Sequence, residues 1–128
     1  MRVLLDTCAL IWCALDETQL TGTAQTALES LDTEVFVSAA SAWEIATKVR
    51  LGKLLGAVGL AAEIATVVRR LGFTELPVSL DHAQRAGLLP GSHKDPFDRL
   101  LIAQAQAENL PIVSSDTIFD DYRVRRIW

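Results

Sequence analysis

Cysteine is scarce in this chain: its 128 residues hold two, Cys8 and Cys13. No CxxC and no paired Cys/His spacing occurs, which argues against a zinc site and against a disulfide framework. Both read as small apolar helix residues, and a reducing cytoplasm is the expected compartment. Basic residues are outnumbered, 12 Lys plus Arg against 16 Asp plus Glu, for a net charge of −4. That speaks against a broadly basic surface coating nucleic acid. It leaves room for a nucleic-acid enzyme, because a bound cation supplies positive charge locally. No apolar run is long enough to span a bilayer. The N-terminus enters a strand without the charged segment and apolar run of a signal peptide. Repeats, low-complexity tracts and linkers are absent, so one compact domain over residues 1–128 is expected.

Half of the residues are apolar, enough for a sizeable core. Val3-Leu4-Leu5, Val35-Phe36-Val37, Phe73 to Val78 and Ile112-Val113-Ser114 read as strands, with a further edge strand at Val124 to Trp128. Helices are predicted over Cys8–Leu15, Thr21–Leu31, Ala39–Leu51, Leu60–Leu71, Asp81–Leu88 and Pro96–Asn109. Gly52 and Gly72 close two of them, and Asp95-Pro96 opens the last as N-cap and first residue. Alternating strands and helices predict an α/β fold with a mainly parallel sheet of about four to five strands.

The acids fall in a telling pattern. Asp6 follows the first strand and Asp116 the fourth. Glu44 lies early in the helix after strand two, and Asp98 in the first turn of the last helix. In a parallel α/β sheet all strand C-termini share one edge, where sites form. Taken singly, each acid has a plainer role. Asp6 and Asp116 suit N-caps. Ser41-Ala42-Trp43-Glu44 matches a capping box, and Glu44 with Lys48 makes an i,i+4 pair. Asp98 discriminates best, because it shares a helix face with Leu101, Ile102 and Ala105, the face that turns inward. Converging acids repel and raise one another's pKa unless a cation sits among them. With only oxygen donors and no spaced His or Cys, Mg²⁺ or Mn²⁺ is preferred. Such a site suits phosphates, through a polarised phosphodiester and an activated water.

LLDTCALIW, VSAASAWEIATKVRLGKL, HKDPFDRLLIAQA and VSSD followed by FDDY together resemble the PIN-domain family. More closely, they resemble its VapC-type members, the toxins of type II toxin–antitoxin systems. The resemblance runs from Val3 to Trp128. It implies an α/β/α sandwich and a Mg²⁺- or Mn²⁺-dependent endoribonuclease leaving a 5′ phosphate. Asp6, Glu44 and Asp98 take the positions of the core acids and metal ligands, and Asp116 the fourth, more variable one. It also implies a VapB-like antitoxin as partner and a homodimer.

Lys48, Arg50, Lys53 and Arg99 are the candidates for RNA contact, although a solvated face or the Glu44 pair accounts equally well for Lys48. Thr7 and Ser115 neighbour the acids. Trp12 and Trp43 are expected in the core by default. Two other readings compete: a PIN-fold module that binds RNA or protein without cutting, and a phosphatase or receiver domain. The last wants an acidic pair after strand one, and Asp6-Thr7-Cys8 offers a single acid.

Overall fold

The computed structural model describes all 128 residues. Its centre is β1 (Arg2–Leu5), flanked by β2 (Glu34–Ser38) and β4 (Ile112–Val113). β3 (Thr74–Leu76) and β5 (Arg126–Ile127) complete the order β3-β2-β1-β4-β5, and every pairing is parallel. Val3 pairs with Val35 and Leu5 with both Val37 and Val113, so the apolar triplets read from sequence lie side by side.

Because successive strand residues face opposite ways, the triplets feed two cores. Val3, Leu5, Val35, Val37 and Val113 point to one face, packed with Leu10, Ile45, Leu60 and Val68. Leu4, Phe36 and Ile112 point to the other, against Leu101, Ile102, Ala105 and Phe119. The first face is covered by α1 (Thr7–Leu15), α2 (Gly22–Glu29), α3 (Ala39–Arg50), α4 (Val58–Ala62) and α5 (Ile64–Arg70). The second is covered chiefly by α7 (Pro96–Ala107), with α6 (Leu80–Leu88) packed against it and the 3-10 turn Thr117–Tyr122 beyond β4. The result is the expected three-layer α/β/α sandwich, with all five strands parallel.

Some local expectations give way. The helix expected over Leu60–Leu71 is two, α4 and α5, broken at Glu63 (φ −140°, ψ 31°). Leu60 and Val68 lie on either side of the break and both reach the same core. α2 stops at Glu29, because Ser30 is extended, and Leu31 is fully exposed rather than part of the apolar face. The third strand is shorter than expected and ends before Pro77. The cap of α3 is Ser38, whose hydroxyl accepts from Ala40 N at 3.0 Å, so Ser41 and Glu44 are inside the helix and form no capping box. Gly52 does end α3, with φ +75°, a conformation that costs other residues a Cβ clash. Trp43 is half exposed rather than buried, with its ring edge-on to Phe97 at 4.6 Å.

A buried polar network fastens α7 to β2 and α6. Ser38 Oγ donates to Gln104 Oε1 at 2.5 Å, and Gln104 Nε2 donates to Pro77 O at 3.2 Å. Ser79 N donates to His82 Nδ1 at 3.1 Å, which places the ring proton on Nε2, 2.8 Å from Glu108 Oε1. No buried side-chain polar atom lacks a partner. No helix is long and apolar enough to cross a membrane.

Leu4 is fully buried at the middle of the sheet, and Leu31 is fully exposed. Leu4→Ala is expected to lower unfolding free energy by about 3 kcal/mol in urea titrations, with Leu31→Ala unchanged within about 0.5 kcal/mol.

Candidate active site

Parallel pairing carries β1 and β4 to the same edge, and an acid follows each, Asp6 directly and Asp116 three residues on. Asp6 leaves β1 and caps α1, its Oδ1 accepting from Ala9 N at 2.7 Å. Asp116 follows β4 and caps the 3-10 turn, accepting from Ile118 N at 3.0 Å. Between them lies Ser114, fully buried. Its hydroxyl donates to Asp6 Oδ2 and accepts from Asp116 N at 2.9 Å, bridging the two acids. Ser115, the hydroxyl singled out in the sequence, is exposed, and Ser114 holds the bridging position. The repeated serine hid it: only strand register says which of the two faces inward.

α3 packs against both α1 and α7, which brings the other two acids to this edge. Glu44 is buried, and Lys48 Nζ one turn later donates to its Oε2. Thr7 Oγ1 donates to Ser41 Oγ at 3.0 Å, stitching α1 to α3. Asp98 begins α7, where Asp95 accepts from its backbone N at 3.0 Å. Asp98 Oδ2 lies 3.0 Å from His93 Nε2. Sequence reasoning gave His93 no role; its only signal is a position five residues before the acid.

These carboxylates feel one another. Burial pushes Asp6 up to about 6, helped by the charges of Asp98 and Asp116 and opposed by the Ser114 and Ala9 hydrogen bonds. Asp98 is raised as well, by burial first and then by Asp95 and Glu44, against the pull of His93. Lys48 is raised by its hydrogen bond to Glu44. The thiol of Cys8 reaches solvent, yet desolvation and the charges of Asp6 and Glu44 push it up to about 11.

Four hard oxygen donors of like charge suit a divalent cation. The side chains as they stand do not close on one point, and no three acids, His or Cys share ligating spacing. Each leans on its own partner, Asp6 on Ser114, Glu44 on Lys48 and Asp98 on His93. A shared ion therefore requires Glu44 to turn from Lys48 and Asp98 from His93.

Of the basic candidates, Lys48 is held by Glu44 and sits at the site. Arg99 is spent on structure. Its guanidinium donates to Ala86 O at 3.0 Å, His93 O at 3.1 Å, Leu89 O at 2.7 Å and Gly87 O at 3.5 Å. Four of its five donors are thus turned to the end of α6 and the α6–α7 loop. Arg50 and Lys53 are exposed at the far end of α3, roughly 9 Å or more along the axis from Glu44.

A PIN-domain family model matches residues 3–124. The chain belongs to the PIN-domain family. Solved structures share this PIN fold. VapBC2 from Rickettsia felis, bound to a promoter DNA fragment, matches with a TM-score of 0.65 at 15% identity over 100% of both chains. FitAcB from Neisseria gonorrhoeae matches with a TM-score of 0.61 at 20% identity, over 98% of this chain and 96% of that one. FitAB bound to an IR36 DNA fragment matches with a TM-score of 0.61 at 21% identity, over 98% and 93%. No curated protein matches the sequence.

The raised Asp6 sets the sign of a pH effect. In the unfolded chain such a carboxyl ionises near pH 4, and in the fold at about 6. The fold is therefore favoured below pH 4 and loses stability as pH rises towards 6. Asp6→Asn removes this term while keeping a cap oxygen for Ala9. In chelator-treated protein its stability relative to wild type should rise between pH 4 and 7, by up to about 2–3 kcal/mol, measured by urea unfolding.

Proposed function

We propose that this PIN-family chain is a metal-dependent endoribonuclease, the toxin of a type II toxin–antitoxin pair. The carrying observation is that Asp6, Glu44, Asp98 and Asp116 reach one edge of the sheet from four separate segments, near enough that, after burial, neighbouring acids help raise Asp6 and Asp98, Asp6 to about 6. A buried carboxylate that stays raised despite hydrogen bonds from Ala9 and Ser114 is a good candidate cation ligand. Family membership supports nuclease chemistry, and likeness to VapBC2 and FitAB supports the toxin role and an antitoxin partner. A homodimer in the cytoplasm accords with the same likeness.

Mg²⁺ or Mn²⁺, when bound, supplies positive charge against the phosphate and acidifies a water for in-line attack. The four acids would hold it. Ser114 keeps Asp6 and Asp116 at a fixed separation through its two hydrogen bonds. Lys48, released from Glu44, neutralises a phosphate oxygen of the RNA. His93 steadies Asp98.

One observation favours a second reading, a PIN module that binds without cutting. The acids already have in-chain partners and close on no common ion.

One experiment separates the two. Chelator-stripped protein is incubated with total transfer RNA and structured ribosomal RNA fragments, with and without Mg²⁺ or Mn²⁺, beside Asp98→Asn. The nuclease reading expects metal-dependent cuts that fall by roughly 100-fold or more in the variant. Wild-type cutting by Asp98→Asn would remove Asp98 from the site. No cuts and no calorimetric metal binding would leave the binding module.

A further inference from the structure

Beside the acids, between the α6–α7 loop and the 3-10 turn after β4, a cavity of about 540 Å³ opens to solvent. Pro90, His93 and Lys94 line one wall; Ile118, Asp121 and Tyr122 line the other. Each wall is bonded to a candidate ligand. His93 Nε2 lies 3.0 Å from Asp98 Oδ2, and Ile118 N donates to Asp116 Oδ1 at 3.0 Å.

Both walls also hang from one helix. Arg99, in the first turns of α7, holds the loop through the carbonyls of Leu89 and His93 at 2.7 and 3.1 Å. Gln106, near its other end, donates to Tyr122 O at 3.0 Å. Gly91 has φ +97°, and a Cβ there would stand 2.8 Å from the Tyr122 hydroxyl, so the loop backbone runs close against that ring. Asp120 is neutralised by Arg126; its neighbour Asp121 forms no ion pair and lines the cavity.

A fixed aromatic ring, an acceptor-only carboxylate and a lysine beside phosphate-handling acids make a recognisable combination. Aromatic rings stack unpaired bases, and lysine meets the phosphate backbone. A carboxylate accepts from an exocyclic amine, present on cytosine, adenine and guanine; uracil has none, and its one ring donor, N3–H, is flanked by two carbonyl oxygens that repel a carboxylate. We propose that this cavity receives one unpaired nucleotide flanking the cut phosphodiester, its base on Tyr122 and its amino group on Asp121. The assignment rests on the nuclease reading.

The test maps every cut in total transfer RNA and ribosomal RNA fragments with Mg²⁺ by sequencing new ends, for wild type, Tyr122→Phe, Tyr122→Leu and Asp121→Asn. One position beside the wild-type cuts should be depleted of uracil. Tyr122→Leu, which removes the stacking ring, should slow cutting roughly tenfold, and Tyr122→Phe, which keeps the ring, should recover most of that loss. Asp121→Asn, which can donate to a uracil carbonyl, should erase the depletion, with uracil appearing at that position beside the cuts that remain. The exposed Asp121 carboxylate makes that variant safe for folding. Uracil found freely at every flanking position, or Tyr122→Leu cutting at the wild-type rate, overturns the subsite and leaves the nuclease standing. Wild type that cuts nothing in any metal overturns the nuclease reading first and the subsite with it.

Discussion

Everything at this edge depends on the double pairing of β1. A strand bonded in parallel on both sides and covered on both faces must be apolar throughout, and Val3, Leu4 and Leu5 are fully buried. The first residue allowed to be polar is the one leaving the sheet, and that residue is Asp6. The same constraint acts on β4, where Val113 is followed by Ser114 and then, two residues on, by Asp116. Parallel pairing makes the two exits coincide. The sheet thus places like charges together that would not choose one another's company.

That crowding is kept within bounds by three partners from the chain. Ser114 donates to Asp6, Lys48 to Glu44, and His93 meets Asp98. Lys48 and His93 lie close to their acids in sequence, four and five residues away, so the helix and loop that present each acid also carry its partner. This explains how the fold tolerates the cluster. It also means that any bound cation competes with Lys48 and His93 for the same oxygens.

The architecture was legible because its cause is local and repetitive: apolar triplets, capped helices and acids at strand exits. Asp6 and Asp116 turned out to cap a helix and a turn while also sharing Ser114, so capping does not draw either acid away from this edge. Register-dependent detail was not legible. Ser114 and Ser115 are indistinguishable until β4 fixes which one faces inward. Arg99 reads as a free cation until the α6–α7 loop folds over its guanidinium. Nor does a glycine or proline mark Glu63, where one expected helix becomes two.

The thiol of Cys8 records all of this. Raised to about 11 by desolvation and by the charges of Asp6, Glu44 and Asp98, it stays protonated at neutral pH. A protonated thiol is a poor nucleophile and resists oxidants and alkylating reagents. Burial is the larger cause and the neighbouring carboxylates add to it, so cancelling their charge brings the thiol only part of the way back. Cys8 sits two residues after the acid that leaves the central strand, so its thiol shares the burial and the charge that surround that acid.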